Sequence, residues 1–167
     1  MSRAFVKEQD GDGGAGEIAD LPQSAHPNYV TPRGLAALKE RFAAAREKRR
    51  ILLARGGGVE RELPLANLGR EIRYLESRIE RAILVDPAAQ PRGEVAFGAI
   101  VRVADSSGEE REFSIVGEDE ADAEHGSVSW VSPLARALLG AEIGDEIVWR
   151  RPAGDVALEV LAIRYAA

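Results

Sequence analysis

The sequence predicts an α+β fold: an antiparallel coiled-coil hairpin, then a small antiparallel sheet packed on one short helix. Three observations favour it. Apolar side chains recur at helical spacing on both sides of a glycine-rich break, then alternate with period two from about residue 95, and one short helix signal interrupts the strands. We therefore predict a disordered arm over residues 1–28, the hairpin over 29–86 and a sheet domain over 87–167.

Composition limits the classes of function. With 167 residues, 45% of them hydrophobic and 30% charged, the chain is typical of globular proteins with one domain or two small ones. No apolar run approaches the ~20 residues that span a bilayer, and the N-terminus lacks the apolar core of a signal peptide, so we expect a cytoplasmic protein with no membrane partner. The absence of cysteine excludes thiolate catalysis and cysteine-bound zinc, and His26 and His125 are the only imidazoles.

The first 28 residues are predicted to be a disordered arm. The stretch "EQDGDGGAGE" is rich in glycine and acidic residues and has almost nothing to bury. Its "GGAG" follows no strand and opens no helix, which argues against a phosphate-binding loop. Whether the arm has a function stays open.

The helical hairpin is predicted to start at Thr31, an N-cap residue, with Pro32 at the first helical position. Steps of three and four place one apolar seam on each arm: Leu35, Leu38, Phe42, Ala45, Arg49 and Leu52, then Leu65, Leu68, Ile72, Leu75, Ile79 and Ala82. The stretch "RGGGVEREL" separates the arms. One continuous helix would have to absorb three glycines at about 1 kcal/mol each and Pro64 at about 3 kcal/mol, so the hairpin is favoured.

The sheet domain is predicted from several short strand patterns. "VAFGAIVRVAD" places Val95, Phe97, Ala99, Val101 and Val103 on one face, and "EREFSIVG", "SVSWVS" and "DEIVWRRPAGDVALEVLAIRY" supply further strands. "SPLARALLG" predicts the short helix, with Ser132 as N-cap and Gly140 as its end. The acidic stretch 117–124 lacks the ligand spacing of an EF-hand, so we interpret it as a solvated turn rather than a calcium loop, and His125 as a surface residue.

Charge is distributed unevenly along the chain. Residues 33–82 carry 13 basic and seven acidic side chains, net +6, whereas residues 83–167 carry seven basic and 16 acidic, net −9. The cluster Arg46, Lys48, Arg49 and Arg50 could follow phosphates or could be a solvated helix face, and the pattern leaves both open. The acidic C-terminal part opposes specific binding of duplex DNA.

These motifs together resemble the bacterial Gre transcript cleavage factors, the GreA/GreB family. The resemblance rests on "TPRGLAAL", "FGAIVRV", "FSIVGEDEAD", "VSPLARALLG", "GDEIVWRRPAG" and "VLAIRY" and covers about residues 29–167. It implies an FKBP-like C-terminal domain that docks on RNA polymerase at the secondary channel, with a coiled coil that extends toward the active centre and the nascent RNA 3′ end. It implies DNA binding as well, which the acidic C-terminal domain argues against. We assign docking to Ser132, Pro133, Leu134 and Ala135 and expect a monomer.

The predicted tip departs from the family. Gre factors carry an aspartate and a glutamate in the setting G-D-L-x-E-N, which help hold a second Mg²⁺ in the polymerase active site. Here "ARGGGVERELPLANL" stands instead, and only Glu60 and Glu62 could substitute. The hairpin also aligns about two heptads short, roughly 10 Å of reach. We therefore expect neither an enzyme nor a cofactor of its own; any Mg²⁺ would be shared with the polymerase.

The sequence leaves four functions open. The first is a polymerase-binding factor that modulates transcription without efficient RNA cleavage. The second is a cleavage-competent factor that uses Glu60 or Glu62. The third resembles the short-hairpin regulator of nucleoside diphosphate kinase, and an unrelated coiled-coil interaction module remains if the C-terminal motifs are coincidental.

Overall fold

The computed structural model describes residues 18–166, and its architecture is α+β, as predicted. The N-terminal part consists of strand β1 (Asn28–Val30), helix α1 (Pro32–Ala54), helix α2 (Glu62–Glu80) and strand β2 (Ala82–Leu84). The C-terminal part consists of β3 (Ala99–Asp105), β4 (Glu110–Val116), β5 (Ser127–Ser129), helix α3 (Pro133–Leu138), β6 (Glu146–Trp149) and β7 (Val156–Tyr165). None of the helices in the described part of the chain could span a membrane.

Helices α1 and α2 pack against each other through the predicted apolar seam. Leu38, Ala45 and Leu75 are buried at its centre. The half-buried side chains around them include Leu35, Phe42, Leu68, Ile72, Ile79 and Ala82, all predicted to face the partner helix. Toward the tip the seam loosens, because Arg49 is exposed and Leu52 is only half-buried. The packing that holds the pair together is thus concentrated in its basal half.

The ends of the helices follow local chemistry. The Thr31 hydroxyl oxygen accepts a hydrogen bond from the Gly34 amide at 2.9 Å, which caps α1 as predicted. The helix ends at Ala54, and Gly56 and Gly57 adopt φ of 64° and 143°, conformations that favour glycine. The sequence places the second helical seam after Pro64, but helix α2 begins earlier, at Glu62, because Pro64 lies within its first turn, where the missing N–H costs nothing.

The C-terminal sheet is mixed, in the order β5-β4-β3-β7-β6. The predicted strands are present and Ala99, Val101 and Val103 are fully buried on one face, against Leu134, Ala135 and Leu138 of α3. The prediction of a wholly antiparallel sheet is wrong at one strand, since β5 pairs parallel with β4. The two 3₁₀ turns at Glu118–Glu120 and Ala123–His125 carry the chain back before β5 starts, so β5 runs in the same direction as β4.

The base of the helix pair is closed by a strand pairing that the sequence did not reveal. Strands β1 and β2 pair in parallel, with Asn28 opposite Ala82 and Val30 opposite Leu84. Both strands are only three residues long, too short for an alternation pattern to be recognised. The entry to α1 and the exit from α2 are therefore held together.

The arm over residues 1–28 was predicted to be disordered, but residues 18–28 contact both parts of the molecule. Residues 1–17 lie outside the described part of the chain. Asp20 accepts a hydrogen bond from Arg73 at 2.7 Å, and the His26 ring meets the Trp130 ring edge-on at 5.9 Å. Asn28 is buried. These polar and aromatic contacts give the segment partners that its low apolar content did not predict.

Candidate functional site

A buried arginine joins the helix pair to the sheet domain. The Arg78 side chain is 1% exposed, and its Nε donates to Asp119 Oδ2 at 2.6 Å. Its Nη2 donates to the Asn28 side chain and lies 3.6 Å from Glu118 Oε2. The guanidinium thus links α2, β1 and the first 3₁₀ turn of the sheet domain. We call these contacts, with those of Thr31 and Tyr74 below, the junction.

Two further side chains complete the junction. The Tyr74 hydroxyl donates to the other Asp119 carboxylate oxygen at 2.8 Å, so both oxygens of Asp119 have a partner on α2. The Thr31 hydroxyl donates to Glu120 Oε2 at 2.6 Å while it caps α1. Burial and then the hydrogen bond to Asp119 raise the pKa of Tyr74, because both disfavour the phenolate.

At the junction the backbones of the helix pair and the sheet domain also come into close contact. Gly117 is buried, and a Cβ there would collide with the carbonyl oxygen of Tyr29. Only a residue without a side chain allows this approach. The solvated-turn interpretation of residues 117–124 is therefore wrong for Gly117 and Asp119, although it describes the end of that stretch. There the exposed His125 Nδ1 lies 2.7 Å from Asp122, and this hydrogen bond lowers the pKa of Asp122.

The tip of the helix pair presents two carboxylates and several apolar side chains. Glu60 lies in the 3₁₀ turn Val59–Arg61 and Glu62 opens α2, and both are exposed. A glutamate in the first turn of a helix stabilises it through the helix dipole, which is a structural reason for Glu62. Within residues 18–166, no group of three or more histidine or acidic side chains could hold a metal ion, and Mg²⁺ needs near-octahedral oxygen ligands.

The predicted basic cluster divides into two sets. At 100° per residue, Arg46, Arg49 and Arg50 fall within about 100° of one another around α1, whereas Lys48 lies about 160° from both Arg46 and Arg50. The three arginines line one open cavity of about 520 Å³ together with Leu53 and Ile72. Arg50 also forms a pair with Glu47 at 2.7 Å, and Arg46 lies over the Phe42 ring. The structure brings together three of the four predicted residues, which we call the basic face.

The predicted docking residues separate into exposed and buried ones. Ser132 is the N-cap of α3, and its hydroxyl oxygen accepts from the Ala135 amide at 3.2 Å. Pro133 is exposed, whereas Leu134 and Ala135 are 3% and 0% exposed in the core of the sheet domain. A partner can reach Ser132 and Pro133 on the folded protein, and the apolar pattern of "SPLARALL" reflects core packing for the other two.

Sequence reasoning missed the junction. A signal for it was present, because Arg78 interrupts the helical apolar pattern three residues after Leu75 and one before Ile79. Such a charge beside a seam becomes buried only when it finds a carboxylate, and the nearest candidates in the fold lie 40 residues further along the chain. Nothing in the sequence indicates that pairing.

The described part of the chain thus combines an exposed tip, a basic face and a junction that holds the helix pair against a sheet domain. Residues 90–165 match the family described as "Transcription elongation factor, GreA/GreB, C-term". The chain is 36% identical over 153 residues to transcription elongation factor GreB of Neisseria meningitidis, covering 83% of this chain and 94% of that one. It is 40% identical over 125 residues to GreA of Nitratidesulfovibrio vulgaris, covering 74% and 67%.

Among solved structures, GreA factor homolog 1 (Gfh1) of Thermus thermophilus is 24% identical, with a TM-score of 0.40 and coverage of 83% of this chain and 99% of that one. GreA/GreB from Nitrosomonas europaea is also 24% identical, with a TM-score of 0.41 over 82% of this chain and 98% of that one. The sequence relatives decide the assignment. The chain belongs to the GreA/GreB family of bacterial transcription elongation factors.

Proposed function

We propose that this protein binds RNA polymerase at the secondary channel and modulates transcription without efficient RNA cleavage. In this proposal α1 and α2 form the antiparallel coiled-coil arm of the family, and residues 87–167 form its FKBP-like docking domain. The arm enters the channel, and the docking domain stays at its mouth in the bacterial cytoplasm. The protein acts as a monomer and is not itself an enzyme.

The family relationship and the junction support this division of roles. A domain that docks outside a channel can direct an arm into it only if the angle between the two is fixed. Arg78, Asp119 and Tyr74 supply that fixation with hydrogen bonds of 2.6 and 2.8 Å in a partly buried setting. Hydrogen bonds to charged groups contribute about 1.5–3 kcal/mol each, which favours one orientation.

The proposal that RNA cleavage is weak rests on the residues at the tip of the helix pair. It offers only Glu60 and Glu62, after three glycines of which two adopt positive φ. Beside these carboxylates Val59 and Leu63 are 78% and 62% exposed. A second Mg²⁺ would need carboxylates held rigidly at one depth, and a glycine-rich apolar tip lacks that rigidity. The tip is better suited to contact than to hold a metal ion.

The test uses a backtracked elongation complex with labelled RNA. We expect little shortening of the transcript, no further change in the double variant Glu60→Ala, Glu62→Ala, and undiminished competition with an authentic Gre factor. Competition reports binding, and transcript shortening reports cleavage, so the two parts of the proposal are separated.

Cleavage competence is the alternative outcome. Strong shortening by the unmodified protein that is lost in the double variant would show that Glu60 and Glu62 replace the family's tip acids. Failure to compete at any concentration would instead argue against polymerase binding at this site.

A further inference from the structure

Strand β6 has an unpaired edge. It is the last strand in the sheet order and pairs through its other edge with β7. The Val160 amide of β7 donates to the Asp145 carbonyl at 2.9 Å, so in this register the odd-numbered residues of β6 bond to β7. Glu146 and Val148 therefore direct their backbone N–H and C=O groups outward. Within residues 18–166, no strand or isolated bridge pairs with that edge.

The sequence around β6 is antisymmetric in charge about Val148. The stretch "DEIVWRR" spans residues 145–151 and places two acidic residues before an apolar centre and two arginines after it. Val148 is 49% exposed, and Glu146 and Arg150, on the same face of the strand, are exposed as well. Edge strands commonly carry charges that prevent pairing with another chain. Charges of opposite sign at the two ends repel an identical strand that approaches in parallel and attract one that approaches antiparallel.

We propose that two free copies of this protein pair antiparallel through their β6 edges, about a two-fold axis at Val148. In this register Val148 lies opposite Val148 of the second copy. Glu146 then lies opposite Arg150, and Asp145 lies opposite Arg151, each pair on one face of the joined sheet. The residues that exchange hydrogen bonds across the axis are those whose backbone groups already point outward. The same surface is used on both copies, so the assembly closes as a dimer.

The side chains at the edge are available for this pairing. Within the described part of the chain, neither Glu146 nor Arg150 forms an ion pair. Opposite charges directly across two antiparallel strands are stabilising and like charges are destabilising. Pairing along one short strand buries little area, so the dimer is reversible and forms as concentration rises. The proposed function concerns one copy on the polymerase, whereas this pairing concerns free copies, and neither depends on the other.

The first test measures the mass of the full chain by sedimentation equilibrium as its concentration rises. We expect a monomer–dimer equilibrium for the unmodified protein. Glu146→Arg and Arg150→Glu each replace two attractive cross-strand pairs by two repulsive ones, so each variant alone should dimerise at least about tenfold more weakly. Circular dichroism checks that both variants retain the fold.

Mixing the two variants provides the decisive control. In an antiparallel pair of Glu146→Arg with Arg150→Glu, both cross-strand contacts again join opposite charges, so the equimolar mixture should recover the dimer. Loss of folding in either variant would not produce such a recovery. A monomer at every soluble concentration, undiminished dimerisation of the single variants, or a mixture that stays monomeric would each overturn the proposal.

A cysteine at the axis tests the register. The chain contains no native cysteine, and two residues directly opposite in a hydrogen-bonded antiparallel pair have Cα atoms about 5.5 Å apart, within the range of a disulfide. Val148→Cys should therefore oxidise to a disulfide-linked dimer at least about tenfold faster than Ile143→Cys, because pairing raises the local thiol concentration. Ile143 is 62% exposed and lies five residues from the axis, so its two copies are far apart in the dimer. Equal rates of oxidation would contradict pairing at Val148.

Discussion

At the scale of single residues, Arg78 is the side chain on which the junction depends. Its substitution by alanine leaves Asp119, whose side chain is 10% exposed, without its cation. Loss of one partner of a buried pair typically costs about 3–5 kcal/mol, because the remaining charge stays desolvated. We expect Arg78→Ala to lower the free energy of unfolding by that amount in urea titrations.

Arg50 provides the matched control for Arg78. It pairs with Glu47 at 2.7 Å through two hydrogen bonds, but the two side chains are 69% and 53% exposed. Ion pairs between exposed side chains contribute little to stability because solvent screens them, so Arg50→Ala should have little effect. Equal losses in the two variants would show that burial of Arg78 does not decide its contribution.

Because of Tyr74, we expect the folded protein to lose stability in alkaline solution. Its pKa in the folded protein is raised above the ordinary tyrosine value of 10.0, so above pH 10 the unfolded chain releases the phenolic proton while the folded protein retains it. The folded state then binds more protons, and stability falls as pH rises. Urea titrations between pH 9 and 11 should show a shallower fall for Tyr74→Phe. A residual slope is expected because burial also raises the pKa of Tyr165.

The residue scale also shows what the sequence could and could not predict. The caps Thr31 and Ser132 were predictable because a cap hydroxyl bonds an amide three residues away, within one local motif. Leu134 and Ala135 were assigned to docking, and the structure buries both, because an apolar pattern does not distinguish a core from a contact surface. The partners of Arg78 were not predictable, since they lie 41 residues away on Asp119 and 50 residues away on Asn28.

At the scale of elements, the basic face of α1 leads to a prediction about the salt dependence of binding. If Arg46, Arg49 and Arg50 attract the polymerase channel or its RNA, binding weakens as salt rises, with a slope that follows the number of phosphate contacts. Changing all three to glutamine should flatten the dependence of affinity on salt. Lys48→Gln is the control on the same helix, because Lys48 lies about 160° from Arg46 and Arg50 around the helix and does not line the cavity that the three arginines share. If the affinity of all variants depended on salt with the same slope, the arginines would belong to a solvated helix face.

The helices and strands whose apolar side chains recur at a regular spacing were the most predictable from the sequence. The helix pair carried two seams of six positions each, and nearly all of the predicted positions in the basal half became buried or half-buried. The parallel pairing of β5 was missed because its connection from β4 contains only ten residues, 117–126, fewer than a parallel crossover usually needs. Tertiary contact at the junction stabilises that short connection, and no local pattern encodes it.

At the scale of the whole molecule, Gly117 tests how firmly the two parts are joined. Alanine there keeps an ordinary backbone conformation but places a Cβ against the carbonyl of Tyr29. The strain must be relieved by moving the helix pair away from the sheet domain. We expect a lower melting temperature and a larger radius of gyration by X-ray scattering. Gly93→Ala, whose Cβ would meet nothing within 4 Å, should change neither quantity.

The position of the junction at the base of the helix pair turns it into the pivot of a long lever. Helix α1 has 23 residues, about 35 Å from end to end. A rotation of about 5° at Arg78 therefore sweeps the far end through about 3 Å, roughly the separation of two hydrogen-bonded atoms. Small changes of angle at the pivot become displacements of a whole atomic diameter at the tip, so the position of the tip is decided at the opposite end of the helix pair.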